Sequence, residues 1–185
     1  MQKNVAFIFG HGVEELELIA PADLLRRAGA EVWFVSTETS SMVTTRGGFG
    51  IETHMKLGNL PLSSVDLLVL PGGPGVMALR ENHTLQDMLK YYASTGKSLA
   101  AICAAPLLLH DAGLLQGRAF TCHFSCRNEL SDAVQGKRVV IDRELITSQG
   151  AGTSIEFGLA LVERLYGSDV SKDIAEAIMA QANEN

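Results

Sequence analysis

Three stretches of this 185-residue sequence carry residue types that could make and break bonds. In Leu99-Ala100-Ala101-Ile102-Cys103-Ala104-Ala105-Pro106-Leu107 a buried-type apolar run leads straight into a helix, with only small residues around one cysteine. Small neighbours suit a tight strand-to-helix turn that lifts a nucleophile above a sheet, a nucleophile elbow. A helix starting there would also aim N–H groups at the sulfur and favour thiolate. The other reading of Cys103 is a small buried hydrophobe, the usual fate of a free cysteine. In Leu70-Pro71-Gly72-Gly73-Pro74-Gly75 a buried strand breaks into glycines, which can turn backbone N–H groups toward a developing oxyanion or simply make a tight turn. The third stretch is Gly12-Val13-Glu14-Glu15-Leu16-Glu17-Leu18-Ile19. Glu14 and Glu15 read as solvated acids of a first helical turn. Glu17, between Leu16 and Leu18, leads into an apolar face where desolvation would raise its pKa, although a lone glutamate is more commonly solvated.

Of the five histidines, His123 follows the small and apolar Ala119-Phe120-Thr121-Cys122 and could close a Cys–His pair across a cleft. A core or surface role fits it equally. Cys122, His123 and Cys126 fall short of a zinc pattern, because no second ligand pair stands elsewhere in the chain. A metal site is therefore not expected.

These residues need elements to hold them. Apolar runs recur at Val5–Phe9, Val32–Val35, Val65–Leu70, Leu99–Ile102, Val139–Ile141 and Leu145–Ile146, most followed by glycine, proline or helical spacing. Between the first two, Leu16, Ile19, Ala20, Asp23, Leu24 and Arg27 step at three and four residues until Ala28-Gly29. That pattern predicts a crossover helix. Runs such as Val65–Leu70 are apolar on both faces, as in a parallel sheet covered on each side. The expected architecture is α/β, a doubly wound and mostly parallel sheet sandwiched by helices, in one domain over 1–185. Ser41–Glu52, with Gly47, Gly48 and Gly50, predicts a small β-hairpin with Arg46 at its turn. Gly152–Phe157 offers a Thr or Ser cap to a helix ending at Gly167, and a second helix runs from Ser168 toward Ala180. In such sheets, ligands bind beyond the carboxyl ends of the strands, which is where all three reactive stretches fall.

Composition narrows the partners. The chain is 46% hydrophobic and 19% charged, with a net charge of −6 and no run of Lys or Arg to bind phosphate backbones. Nucleic acid is not an expected partner. The first residues read as a strand rather than a signal peptide, and Leu99–Leu109, interrupted by Pro106, is far short of the ~20 residues of a spanning helix. No membrane association is expected. Three cysteines in a chain able to fold without staples point to free thiols and the cytoplasm.

Taken together, Glu14–Glu17, Val69–Gly73, Ala100–Pro106 and Thr147–Ser154 resemble the parkinsonism-associated deglycase (DJ-one) family of the ThiJ/PfpI superfamily, over nearly the whole chain and in the expected order. The resemblance implies a flavodoxin-like fold, a commonly homodimeric assembly, and an enzyme of glyoxalase or deglycase type that needs no cofactor. It implies Cys103 as nucleophile, Glu17 in contact with its sulfur and a matching His123. Backbone N–H groups of Gly73 and Ala104 become the oxyanion donors, Gly72 supplies the turn, and Arg46 can hold an anion near the cysteine. Two positions bear on the transfer. Gln149 stands where some members carry arginine and others glutamine, which bears on anion binding, and Ala151 departs from the usual proline. Superfamily proteases usually carry a histidine directly after the cysteine, where this chain has Ala104. An amidotransferase-type triad would need a histidine beyond His123, and none follows. The implied substrates are methylglyoxal, glyoxal or early glycation adducts. The rival reading is a non-enzymatic oxidative-stress sensor or redox chaperone that works through oxidation of Cys103.

Overall fold

The computed structural model describes residues 2–180. The strands in chain order are β1 (Asn4–Phe9), β2 (Glu31–Ser36), β3 (Met42–Thr44), β4 (Gly50–Glu52), β5 (Met55–Lys56), β6 (Leu67–Leu70), β7 (Ser98–Ile102), β8 (Val139–Asp142) and β9 (Leu145–Ser148). Seven of them form one sheet in the order β5-β2-β1-β6-β7-β9-β8, while β3 and β4 pair separately as the expected hairpin. All pairs in the large sheet are parallel except β8 with β9.

Alternation along the central strands explains the two helical layers. Val5, Phe7 and Phe9 of β1, with Leu67 and Val69 of β6, face one core, whereas Ala6, Ile8, Leu68 and Leu70 face the other. Each fully buried Val, Leu, Ile or Phe among them contributes about 1.5–3 kcal/mol. The first face packs α1 (Glu15–Arg27), α5 (Ser154–Tyr166) and α6 (Ser168–Ala177). The second carries α2 (Val76–Leu79), α3 (His83–Ser94) and α4 (Pro106–Asp111). A Cβ at Gly158 would stand 2.6 Å from Leu24 Cδ1 and 2.9 Å from Pro21 Cα, so glycine lets α5 lie tightly on α1. This contact holds the middle of α1, the helix whose first turn carries Glu17.

The structure amends the expected elements in three places. The strand predicted from Val65 begins at Leu67, because a 3-10 turn at Leu62–Ser64 places the Val65 N–H on the Leu62 carbonyl. Thr153 does not cap α5. Its hydroxyl instead meets Ser148 Oγ at 2.6 Å, accepts from the Gly150 N–H at 3.1 Å and donates to the Gly150 carbonyl at 2.8 Å, tying the loop after β9 into a knot. The last helix ends at Ala177, short of Ala180. Among the described residues no helix is long and apolar enough to cross a membrane.

Candidate active site

Four loops leave the carboxyl ends of β1, β6, β7 and β9, the central parallel strands, and they meet around Cys103. The residue itself has φ 65°, a left-handed conformation that costs a non-glycine residue about 1–2 kcal/mol. Two hydrogen bonds hold the turn there: the Cys103 N–H donates to the Ser148 carbonyl at 3.0 Å, and the Cys103 carbonyl accepts from the His123 N–H at 2.8 Å. Ala104 and Ala105 leave room for this bend, and Pro106 opens α4 with no N–H to lose. The elbow read from the small residues is present.

Glu17 lies on the first turn of α1 and is 1% exposed. Its Oε2 accepts from the Gly72 N–H at 2.9 Å, and its carboxyl stands beside the Cys103 thiol and is coupled to it. Burial dominates its ionisation and pushes it from 4.5 up to about 7, against the opposing hydrogen bonds of Cys103 and Gly72. Burial likewise pushes the Cys103 thiol up, with the Glu17 carboxylate adding to the rise and the N–H groups of Gly73 and Ala104 pulling the other way. The helix behind the elbow is only six residues long and starts three residues later, and burial beside a carboxylate opposes the lowering of the thiol that the elbow sequence suggested. The two groups titrate as a pair, and a thiolate forms when the proton passes to Glu17.

The glycines after β6 are required by closeness. A Cβ at Gly72 would stand 2.5 Å from Glu17 Oε2, 2.6 Å from Cys103 Cβ and 2.8 Å from the Ile102 carbonyl. Gly73 has φ 102°, and a Cβ there would collide with the Gly12 carbonyl. That conformation brings the Gly73 N–H, with that of Ala104, onto the sulfur.

His123 and Gly150 complete the arrangement. The Cβ that Gly150 lacks would lie 3.3 Å from His123 Cδ2, 3.9 Å from Cys103 Sγ and 3.9 Å from Glu17 Oε1, so three side chains converge on one unfilled point. The His123 Nδ1 accepts from the Ser125 N–H at 3.3 Å and meets Ser125 Oγ at 2.8 Å, which assigns the imidazole proton to Nε2. These groups open into a cavity of about 650 Å³ whose walls include Met77, Leu107, Ser125, Cys126 and Ala151. Arg46 reaches the cavity from the β3–β4 turn, 3.5 Å from Glu14 Oε2, with its side chain largely exposed. A smaller cavity of about 320 Å³, lined by His110, Phe120 and Asp132, contains none of the convergent groups. Among the described residues, no cluster of three or more His, Cys, Asp or Glu is arranged to hold a metal ion.

All seven residues singled out from the sequence thus fall on one site. Gly150, Ser125 and Cys126 were not assigned to it. Gly150 was within reach, since it follows a buried strand at its carboxyl end. Ser125 and Cys126 depend on the path of the long loop after α4, which carries no periodic signal.

Fold and site define a class: an α/β sandwich with a cysteine at a strand-to-helix elbow beside a buried carboxyl. The family model for the DJ-1/PfpI family matches residues 3–164, and the chain belongs to this family. Protein dj-1beta of Drosophila melanogaster is 35% identical over 187 residues, covering 99% of this chain and 100% of that protein. The crystal structure of Drosophila melanogaster DJ-1beta superposes with a TM-score of 0.94 at 34% identity, over 98% of this chain and 100% of that one. Protein DJ-1 homolog A of Arabidopsis thaliana is 37% identical over 98% of this chain, which spans about half of that relative's length, 47%. A Caenorhabditis elegans relative named glutathione-independent glyoxalase DJR-1.2 is 30% identical over 168 residues, 89% of each chain.

Proposed function

We propose that this protein is a cofactor-independent glyoxalase acting on small reactive dicarbonyls, with Cys103 as nucleophile. The observation that carries the reading is the convergence of Cys103 Sγ, Glu17 Oε1 and the His123 ring within 3.9 Å of one vacant point. The C. elegans relative's name supports the reaction class.

Glu17, poised near neutrality, takes the thiol proton as Sγ adds to the aldehyde carbon of methylglyoxal. The new oxyanion is met by the N–H groups of Gly73 and Ala104, which already face the sulfur. The resulting hemithioacetal loses its C–H proton and regains one at the neighbouring carbon through an enediol, with His123 carrying the proton. The product of that shift is a thioester, which water cleaves to lactate while the thiol is restored. Glyoxal gives glycolate by the same steps. No step calls for a metal, flavin or glutathione. Arg46, at the cavity mouth, suits an anionic product or an adduct bearing a carboxylate, and early glycation adducts would react by the same addition. We also propose a cytoplasmic homodimer: Leu16 and Ile19 on α1 are 57% and 42% exposed, and Met42 and Phe49 of the hairpin are exposed as well.

The test is methylglyoxal consumption without glutathione. The wild type should consume many equivalents per subunit, and Cys103→Ala should match the protein-free blank. Consumption that stops at one equivalent would instead support the sensor reading, which a solved relative, Toxoplasma gondii DJ-1 in oxidised form, keeps in view.

A further inference from the structure

Two thiols line the proposed substrate cavity. Besides Cys103, its wall includes Cys126, 5% exposed and outside the mechanism above. The two are tied through one residue, because the His123 N–H donates to the Cys103 carbonyl at 2.8 Å and the Cys126 N–H donates to the His123 carbonyl at 3.0 Å. Their side chains are tied as well. Cys126 Sγ lies 3.8 Å from Ser125 Oγ, which lies 2.8 Å from His123 Nδ1. A thiol, a hydroxyl and an imidazole acceptor therefore stand in line.

We propose that Cys126 is the resolving thiol of this site, closing a disulfide with Cys103 after a hydroperoxide has oxidised it. This inference rests on Cys103 being the reactive thiol. The Cys103 thiolate attacks the distal oxygen of the peroxide, the O–O bond breaks, and the alkoxide or hydroxide leaves with a proton, giving Cys103 sulfenic acid. Cys126 sulfur then attacks Cys103 sulfur. The S–H proton passes through Ser125 to His123 Nδ1, the S–O bond breaks, and the departing hydroxide takes the His123 Nε2 proton as water. Two thiols and one peroxide become one disulfide, one water and one alcohol, or a second water.

Division of labour between the thiols follows from their surroundings. Burial raises both thiols; what differs is the route for the proton, which for Cys126 runs through Ser125 to His123. Cys103 has Glu17 beside it for that purpose. A disulfide needs Cβ atoms about 3.5–4.5 Å apart, and the element that must swing in is a three-residue 3-10 turn, Phe124–Cys126, with Phe124 and Ser125 exposed. Disulfide closure would spare Cys103 from irreversible sulfinic acid and make the loss of activity reversible.

The experiment treats reduced protein with a small excess of hydrogen peroxide, blocks free thiols, and maps tryptic peptides without reductant. Cleavage after Lys97, Arg118 and Arg127 isolates Cys103 on 98–118 and places Cys122 with Cys126 on 119–127, so Cys122→Ser is used as the background. The expected product is a cross-link of these two peptides, short of two hydrogens, with dithiothreitol restoring dicarbonyl turnover. Cys126→Ser, and Cys126→Ala should serine disturb the fold, should convert Cys103 to sulfinic acid several-fold faster and lose the recovery. Sulfinic acid forming equally fast with Cys126 present, or a disulfide only between subunits, overturns the resolving role while leaving the nucleophile intact. Failure of Cys103 to oxidise at all would remove both readings.

Discussion

Glu17→Gln separates a carboxyl kept for chemistry from one kept for structure. Burial carries Glu17 from 4.5 to about 7, and at about 1.4 kcal/mol per pH unit the folded state is penalised by about 3 kcal/mol once the group is charged. The sign follows from proton counts. Between pH 4.5 and about 7 the folded chain keeps a proton that the unfolded chain has released, so this group's contribution to stability is intact below 4.5 and lost as pH rises toward 7. Glutamine does not titrate, yet its oxygen can still accept from the Gly72 N–H and its amide can donate to the sulfur. Urea unfolding of both proteins at pH 5 and pH 8 should therefore show the variant gaining about 2–3 kcal/mol on the wild type at the higher pH. Titrating groups other than its coupled partner Cys103 cancel in that comparison. Turnover of methylglyoxal should fall by about 10²–10⁴, the usual worth of a positioned base. A stability difference that does not move with pH would show that Glu17 is not a desolvated acid, and unimpaired turnover would show that it is not the base.

The remaining expectations concern packing. Gly72→Ala should push apart Glu17 and Cys103, because its Cβ meets a carboxylate oxygen, the Cys103 Cβ and a backbone carbonyl at 2.5–2.8 Å; a loss of about 1–3 kcal/mol in urea unfolding together with a collapse of turnover is expected, and full activity would sink the close-approach argument. For the homodimer, light scattering at micromolar concentration should report twice the chain mass. Ile19→Asp, placing a charge on a 42% exposed apolar position, should halve it, whereas a wild-type monomer would remove the assembly.

Much of this was legible in the residues. Alternation on β1 and unbroken apolar runs on β6 and β7 declare a sheet covered on both sides, and small residues around Cys103 declare the elbow. The two-residue β5 and the four-residue α2 were not legible, because elements so short show no period and exist through the neighbours they pair with. In the site, residues near strand ends could be placed from topology, while Ser125 and Cys126 could not. Thr153 misled for a related reason: its hydroxyl has a helix N-terminus to cap, but the nearer groups of Ser148 and Gly150 claim it first.

That carboxylate and the bent cysteine share an energetic signature. A left-handed Cys103 costs about 1–2 kcal/mol, and a charged, buried Glu17 about 3 kcal/mol more, against a net stability of about 5–15 kcal/mol for a domain. Glutamine would satisfy the Gly72 N–H without the ionisation penalty, and glycine at 103 would relieve the backbone. The surrounding contacts, from Ser148 and His123 on the elbow to the Gly158 packing that seats α1, hold both groups in place against these costs. In the proposed function, what such a pair provides, and neutral substitutes cannot, is a proton that crosses between oxygen and sulfur near neutral pH as the sulfur meets an electrophile.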